Sequence, residues 1–180
     1  MDSEPTLFAQ LQKLCTDALN LDAESEPLKA LRDQESAAPI FTELQDRLLP
    51  EARRIAEGPG KDLAFAHFTH GLILRILQRH QEAETAFRHA NQIQPGVINT
   101  LRELVRCLGE QGKHSEALPF ARVAVSANPD DAGAWGNLAM CLIQSRERDE
   151  ARKAIDHAIK LDPLNPLNRY IRDNFDGYFK

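Results

Sequence analysis

A step of thirty-four residues recurs along the second part of the chain and limits the folds it can adopt. Pro95, Pro129 and Pro163 mark this step. Apolar and small residues keep the same spacing in six further columns: Ala83, Ala117, Ala151; Ala90, Ala124, Ala158; Leu74, Leu108, Leu142; His70, Leu104, Leu138; Phe87, Ala121, Ile155; and Gly71, Val105, Ala139. A fixed period of this length indicates a solenoid whose unit is a pair of antiparallel helices. The sequence therefore predicts an all-α fold.

The unit that ends at Pro163 resembles the tetratricopeptide repeat. The positions that carry the resemblance are Trp135, Leu138, Ala139, Leu142, Ala151, Ile155, Ala158 and Pro163. It extends over three units, residues 64–97, 98–131 and 132–165. The resemblance implies an α-α superhelix, a right-handed solenoid of antiparallel helix pairs. It also implies that the first helix of each unit lines a concave groove in which another protein lies as a peptide or a helix.

The segments that flank the three units depart from the thirty-four-residue step. Residues 1–63 are predicted to form an irregular N-terminal helical cap or a degenerate repeat, with a helix over 5–21, a connector with one short helix over 22–39, and a helical pattern over 40–57. Pro50 lies inside that last pattern, so either two helices meet there or one bent helix runs through. Residues 166–180 are predicted to form a C-terminal capping helix and tail. Tyr178 and Phe179 in the tail either pack onto the cap or form a ligand segment.

Composition narrows the class of protein. The formal net charge is -5, and the chain has neither a basic stripe nor an apolar run long enough to cross a membrane. We therefore expect no nucleic-acid or membrane partner. The first residues are acidic and do not resemble a secretory signal. Cys15, Cys107 and Cys141 are expected to be reduced core residues. These features favour a cytoplasmic location.

No catalytic, cofactor-binding or metal-binding set of residues emerges from the sequence. It contains no G-x-S-x-G, no glycine-rich phosphate loop and no C-x-x-C. His67 and His70 are three residues apart on one predicted helix, which is compatible with metal ligation. However, they occupy the columns of Trp135 and Leu138, so packing is the preferred interpretation. We expect a protein that is not an enzyme.

The predicted partner-binding residues lie on the first helices, by helical phase. They are Phe65, Phe68, Leu72, Ile76, Asn99, Arg102, Arg106, Asn137 and Met140. Arg102, Arg106 and Asn137 are candidates for a partial anion site, because arginine binds carboxylates through paired donors. Alternatively, the two arginines pair with Glu103, Glu110 or the acidic N-terminal segment. Gly133 and Gly136 are expected to let the backbone of a partner come close.

The apolar end of this wall has a second interpretation, in which the N-terminal helices fill the groove beside Phe68 and Leu72. The leading functional hypothesis is a non-catalytic interaction module, an adaptor or scaffold that binds a partner peptide or helix. The alternatives are a self-associating assembly protein, pairing through the cap and the Tyr178-Phe179 end, and a regulatory subunit of an enzyme complex.

Overall fold

A computed structural model of the chain describes residues 6–25 and 42–180, which form helices and connecting turns without strands. The α-helices in chain order are α1 (Leu7–Ser25), α2 (Leu49–Glu57), α3 (Ala64–Ile76), α4 (His80–Ile93), α5 (Ile98–Glu110), α6 (His114–Ala127), α7 (Ala132–Gln144), α8 (Arg148–Leu161) and α9 (Pro166–Asp173). The all-α prediction is confirmed. None of the described helices is both long and apolar enough to span a membrane. The chain divides into two compact units, residues 1–95 and 96–180.

The helix boundaries follow the step that the sequence shows. The first helices begin at Ala64, Ile98 and Ala132, and α9 begins at Pro166, each thirty-four residues after the last. The second helices α4, α6 and α8 keep the same step. Within each pair the helices pack against each other over their length. The small-residue column Ala83, Ala117 and Ala151 is fully buried, which allows the two backbones to approach.

The segment before α2 resolves the alternatives for Pro50. Residues Glu43–Leu48 form a π-helical turn that runs directly into α2, and the N–H of Leu49 donates to the carbonyl of Leu44, five residues back. Pro50 has no N–H, and its ring would clash with a carbonyl one α-helical turn earlier. The wider π turn accommodates that ring, so one helical segment continues through the proline. The predicted short helix of the connector lies outside the described residues. Residues 22–25, predicted as connector, belong to α1 instead.

The N-terminal unit, residues 1–95, is organised around α3. Helices α1, α2 and α4 each pack against it. Leu11, Ala18 and Ile55 from the first two helices are fully buried. The side chain of Phe87 on α4 is also fully buried and lies against Gly71 of α3. Because α3 is covered by three helices, nearly all of its apolar side chains are removed from solvent.

The turn between the two helices of each pair contains one residue with a left-handed backbone. These residues stand at equivalent positions: Gln78 and Arg146 both have φ of 62°, and Gly112 has φ of 73°. Side chains are disfavoured in this conformation, whereas glycine adopts it freely. The outer two units therefore accept a local backbone cost that the middle one avoids.

Replacement of Gly112 by alanine is expected to lower the free energy of unfolding by about 1 kcal/mol. An added Cβ would meet no atom within 4 Å, so the effect comes from backbone conformation alone. Gly177→Ala is the matched control, because its Cβ also meets open space and its φ is not left-handed. Urea denaturation of both variants measures the difference. Equal stabilities would contradict the backbone explanation.

In the C-terminal unit, residues 96–180, α9 caps the apolar side of α7 and α8. It buries Asn168 and Ile171 on its inward side. The positions that correspond to Trp135, Leu138 and Ala139 of α7 are polar on α9: they are Arg169, Arg172 and Asp173. On α7 these positions lie beside α8, but on α9 they need no covering helix. The helix that the sequence predicts here is therefore present, and its polar outer side is of the kind that a capping helix presents.

The C-terminal residues fold back as a 3₁₀ turn, Phe175–Phe179, against the start of α8. The guanidinium carbon of Arg152 lies 3.9 Å from the centre of the buried Phe175 ring. Asp176 forms ion pairs with Arg148 at 2.6 Å and with Arg152 at 3.2 Å. Arg146 donates a hydrogen bond to the Tyr178 carbonyl at 2.7 Å. Of the two alternatives for the tail, the structure supports packing onto the cap.

Candidate interaction face

The first helices of the C-terminal unit form a row, since α7 packs against both α5 and α9. Residues at the same point of the thirty-four-residue step lie on corresponding positions of these helices. We define the first-helix face by the following residues: Asn99, Arg102 and Arg106 of α5; Gly133, Gly136, Asn137 and Met140 of α7; and Leu167 and Tyr170 of α9. The face presents cations at one end, a floor of small residues in the middle and large apolar side chains at the other end.

Arg102 is held at the junction of α5 and α7. Its Nη1 lies 3.2 Å from Oδ2 of Asp131, and the other oxygen of Asp131 accepts the N–H of Ala134 at 3.0 Å. Asp131 therefore both caps α7 and fixes the arginine. The Arg102 side chain remains 41% exposed. Its Nε is buried and has no hydrogen-bond partner among the described residues. The guanidinium is thus positioned but incompletely satisfied.

The second arginine is paired within its own helix. Arg106 Nε lies 3.6 Å from Oε1 of Glu110, four residues further along α5. The alternative of arginines paired with neighbouring carboxylates therefore applies to both residues, and the partner of Arg102 is Asp131, which the sequence analysis did not name. The Arg106–Glu110 pair is partly exposed, and such ion pairs are weak. The Arg102–Asp131 pair is less accessible, because the Asp131 side chain is only 13% exposed, but the Arg102 side chain keeps 41% of its surface open to a partner's carboxylate.

The glycines of α7 have a different role from the predicted one. A Cβ on Gly133 would lie 2.9 Å from Nη2 of Arg102, and a Cβ on Gly136 would lie 2.2 Å from Oδ1 of Asn168. The space beside each glycine is thus occupied by the chain's own side chains. Asn168 is buried there and donates from Nδ2 to the Ala132 carbonyl at 3.2 Å. The prediction that a partner's backbone approaches these glycines is wrong.

Two residues of the face were missed in the sequence analysis. Leu167 is 62% exposed and Tyr170 is 61% exposed, and both belong to α9. The step from Asn99 through Gly133 leads to Leu167, and the step from Arg102 through Gly136 leads to Tyr170. The repeat step therefore indicates both positions, in addition to the capping role of α9. These side chains extend the first-helix face by one helix.

The predicted residues in the N-terminal unit are largely covered. Leu72 is 1% exposed and Ile76 is 7% exposed, because α1 and α2 pack against α3. Their assignment as partner-contacting residues is therefore corrected: both are core residues. Phe65 and Phe68 are half-buried and stack at 6.1 Å, and Phe68 also lies 5.9 Å from Phe87. The alternative in which the N-terminal helices cover this end agrees with the structure.

The two histidines of α3 pack rather than converge on a metal. His67 Nε2 lies 2.8 Å from the Lys61 carbonyl, and its ring lies 5.0 Å from that of His89. Burial lowers the pKa of His70, which favours its neutral form. Within the described ranges no group of three or more potential ligands is arranged to hold a metal ion.

The fold and the face define a helix-pair repeat protein with an exposed row of first helices. Two family models match the chain, both of the tetratricopeptide repeat, over residues 66–96 and 108–168. Together these ranges cover just over half of the chain. The chain belongs to the tetratricopeptide repeat family, and its fold is the α-α superhelix of that family.

Individual proteins resemble parts of the chain. It is 37% identical over 100 residues to anaphase-promoting complex subunit 7 of Dictyostelium discoideum, covering 55% of this chain and 17% of that protein. It is 30% identical over 107 residues to the peroxisomal targeting signal receptor of Yarrowia lipolytica, covering 59% of this chain and 17% of that protein. The chain thus spans less than a fifth of the length of these two relatives.

A solved structure extends the likeness to nearly the whole chain. YrrB, described as a tetratricopeptide repeat protein with an unusual peptide-binding site, superposes with a TM-score of 0.67. The match covers 97% of this chain and 84% of YrrB, at 20% sequence identity. At this identity the likeness concerns the fold alone.

Proposed function

We propose that the chain is a non-catalytic interaction module whose first-helix face binds a segment of another protein. The observation that supports this most directly is the combination of Arg102, positioned and incompletely satisfied, with exposed Leu167 and Tyr170 on the same row of helices. The peptide-binding description of the structurally similar YrrB is consistent with the proposal. The module acts as an adaptor or scaffold in the cytoplasm, where its three cysteines, none of which forms a disulfide, stay reduced.

The chemistry of the face specifies the kind of segment it accepts. Arg102 and Arg106 favour a carboxylate, which arginine binds through paired donors. Leu167 and Tyr170 offer apolar surface at the other end of the row, where a partner's aliphatic or aromatic side chain is removed from water. The expected partner is therefore a segment that carries a carboxylate for α5 and an apolar residue for α9. The two groups are separated along the segment by the width of two helices.

The double variant Arg102→Gln/Arg106→Gln is expected to weaken binding of such segments roughly tenfold, because two charge-assisted contacts are lost. Glutamine avoids the repulsion that a carboxylate would create beside Asp131. Acidic sequences selected from a random peptide library against the full chain serve as ligands, and fluorescence anisotropy measures their affinity. Arg53→Gln is the control, since Arg53 is an exposed arginine of α2 paired with Glu57. Unchanged affinity in the double variant would exclude the first-helix face as the site.

Self-association is the second candidate function. Leu164 is 80% exposed and precedes α9, where Leu167 and Tyr170 are exposed as well. A second copy covering these three side chains would bury them. The predicted route through Tyr178 and Phe179 has less support, since those residues pack toward α8. Light scattering distinguishes the two candidates: a dimeric mass that falls to that of one chain in Tyr170→Lys would favour self-association.

A further inference from the structure

A cleft on the second helices of the C-terminal unit is separate from the first-helix face. It lies between α6 and α8, has α7 as its floor, is open to solvent, and has a volume of about 530 Å³. Val125, Leu138 and Leu142 form its buried apolar base. At one end the rings of Trp135 and His157 meet at 4.4 Å with an angle of 51° between their planes. We name this site the Trp135 cleft. Its volume is in the range of pockets that hold small ligands or side chains.

The fold repeats this cleft in the N-terminal unit. There a cleft of about 630 Å³ is lined by seven residues of α3 and α4 that stand sixty-eight positions, or two repeat steps, before members of the Trp135 cleft. His67 and His89 replace Trp135 and His157 and also form a ring pair, at 5.0 Å. Both clefts have an alanine at the same place, Ala86 and Ala154. The recurrence shows that the helix-pair geometry, and not a local accident, leaves this space open.

The repeat itself indicates what fits beside the alanine. The residue between Ala86 and Ala154 in the same column is Phe120, so the helix tolerates an aromatic ring at this point of the repeat. In the Trp135 cleft this position is the buried Ala154, whose short side chain forms part of the base next to the two rings. Aromatic pairs in edge-to-face or tilted arrangements are favourable beyond their buried area. An aromatic side chain from outside the chain is therefore the occupant that matches the cleft in shape and chemistry.

The charge on the rim adds a second requirement. Arg122 is satisfied by two carboxylates, with Nη2 at 2.9 Å from Glu150 and 3.5 Å from Glu147. Lys153, also on the rim, is exposed and forms no ion pair among the described residues. Lys153 and His157 are four residues apart on α8, so they face the same side one turn apart. A carboxylate near the aromatic ring of the occupant would therefore lie beside Lys153.

We propose that the Trp135 cleft is a second binding site, which takes an aromatic side chain of a partner polypeptide with a carboxylate next to it in sequence. The ring lies against Trp135, His157 and Ala154. The carboxylate lies at Lys153. Because Trp135 Nε1 already donates to the Pro129 carbonyl at 2.7 Å, the indole contributes its ring and not its N–H. The site shares α7 with the first-helix face but uses different residues of that helix, so either site can fail without the other.

Trp135 is the only tryptophan of the chain, so its fluorescence reports on this cleft directly. The blocked peptide acetyl-GFDG-amide is expected to change the emission saturably, with a dissociation constant in the millimolar range as for a fragment-sized contact. The neutral analogue acetyl-GFNG-amide is expected to bind roughly threefold more weakly, since one exposed ion pair is lost. The peptide acetyl-GADG-amide, which lacks the ring, is expected to leave the emission unchanged. Equal responses to GFDG and GADG would overturn the proposal.

Three variants test whether the change in Trp135 fluorescence arises from binding in the Trp135 cleft. Ala154→Phe places at the base of the cleft the residue type that the middle unit has in this column, and is expected to abolish the response to GFDG. Lys153→Gln changes an exposed residue, so it is expected to preserve the fold and to remove the difference between GFDG and GFNG. Ala86→Phe, the same change in the other unit, is expected to leave the titration unchanged. A retained charge preference in Lys153→Gln, or a response lost in Ala86→Phe, would contradict the assignment to the Trp135 cleft.

Discussion

Substitution of Gly71 by valine is expected to lower the free energy of unfolding by about 3 kcal/mol, the upper part of the range for overpacked cores. A Cβ at this position would lie 2.9 Å from two carbons of the Phe87 ring and 3.2 Å from the Cβ of Ala86. Phe87 is fully buried and cannot rotate away without displacing its neighbours. Valine adds two further carbons beyond that Cβ. Urea denaturation followed by circular dichroism measures the loss.

Side-chain size varies inversely between the two repeat columns that contain Gly71 and Phe87. Gly71 stands with Phe87, whereas the same positions of the next units hold Val105 with Ala121 and Ala139 with Ile155. All of these side chains are buried. The small residue on the first helix thus coincides with the large residue on the second. The pairing predicts that the combination in the middle unit can replace the one in the first.

The double variant Gly71→Val/Phe87→Ala tests that exchange. Phe87→Ala alone is expected to cost about 4 kcal/mol, because it leaves a cavity in the core. Valine at 71 occupies part of that cavity, so the double variant is expected to be more stable than Phe87→Ala alone, with a coupling of about 2 kcal/mol or more. Gly177→Val is the control, since nothing lies within 4 Å of the Cβ added there. Additive single effects would show that the two positions do not share one space.

The repeat columns also show which features of the structure can be predicted from the sequence and which cannot. A thirty-four-residue step places helix starts well, because helix pairs of equal length must begin at equal intervals. Extended by one step, it also reaches Leu167 and Tyr170. The step does not reveal the partner of Arg102, since the reach of a guanidinium to Asp131 depends on side-chain rotamers. Nor does it show that Gly133 and Gly136 accommodate the chain's own side chains. A glycine in a sequence indicates that space is needed at that position, but the neighbour that occupies the space is seen only in the structure.

The docking of the N-terminal helices is a second feature that the sequence does not predict. Leu72 and Ile76 lie at helical spacing on a first helix, and the resemblance implies an open wall there. The structure buries both, because α1 and α2 pack against α3. These N-terminal helices do not keep the repeat step, so periodicity carries no information on where they dock. The π turn at Glu43–Leu48 is also not predicted by the repeat step, since it arises from the local clash between the Pro50 ring and a preceding carbonyl.

The second large effect concerns the 3₁₀ turn at Phe175–Phe179. Phe175→Ala is expected to lower the free energy of unfolding of the C-terminal unit by about 3 kcal/mol, because the ring is buried beside the Phe179 ring, 5.2 Å away, and beneath the guanidinium of Arg152. Thermal unfolding followed by Trp135 fluorescence measures this loss in the relevant unit. Hydrogen exchange in α9 is expected to speed up as well, since the turn holds the end of that helix.

Asp176→Asn separates the contribution of the ring from that of the ion pairs. Asp176 is 66% exposed and bridges Arg148 and Arg152, so removal of its charge is expected to cost less than about 1 kcal/mol. Added salt should have a similarly small effect on the wild-type chain, because it screens exposed pairs but not buried rings. If Asp176→Asn were as damaging as Phe175→Ala, the arginines would hold the turn mainly through charge. The expected order instead makes burial of Phe175 the main attachment of the tail, with the arginines fixing its register on α8.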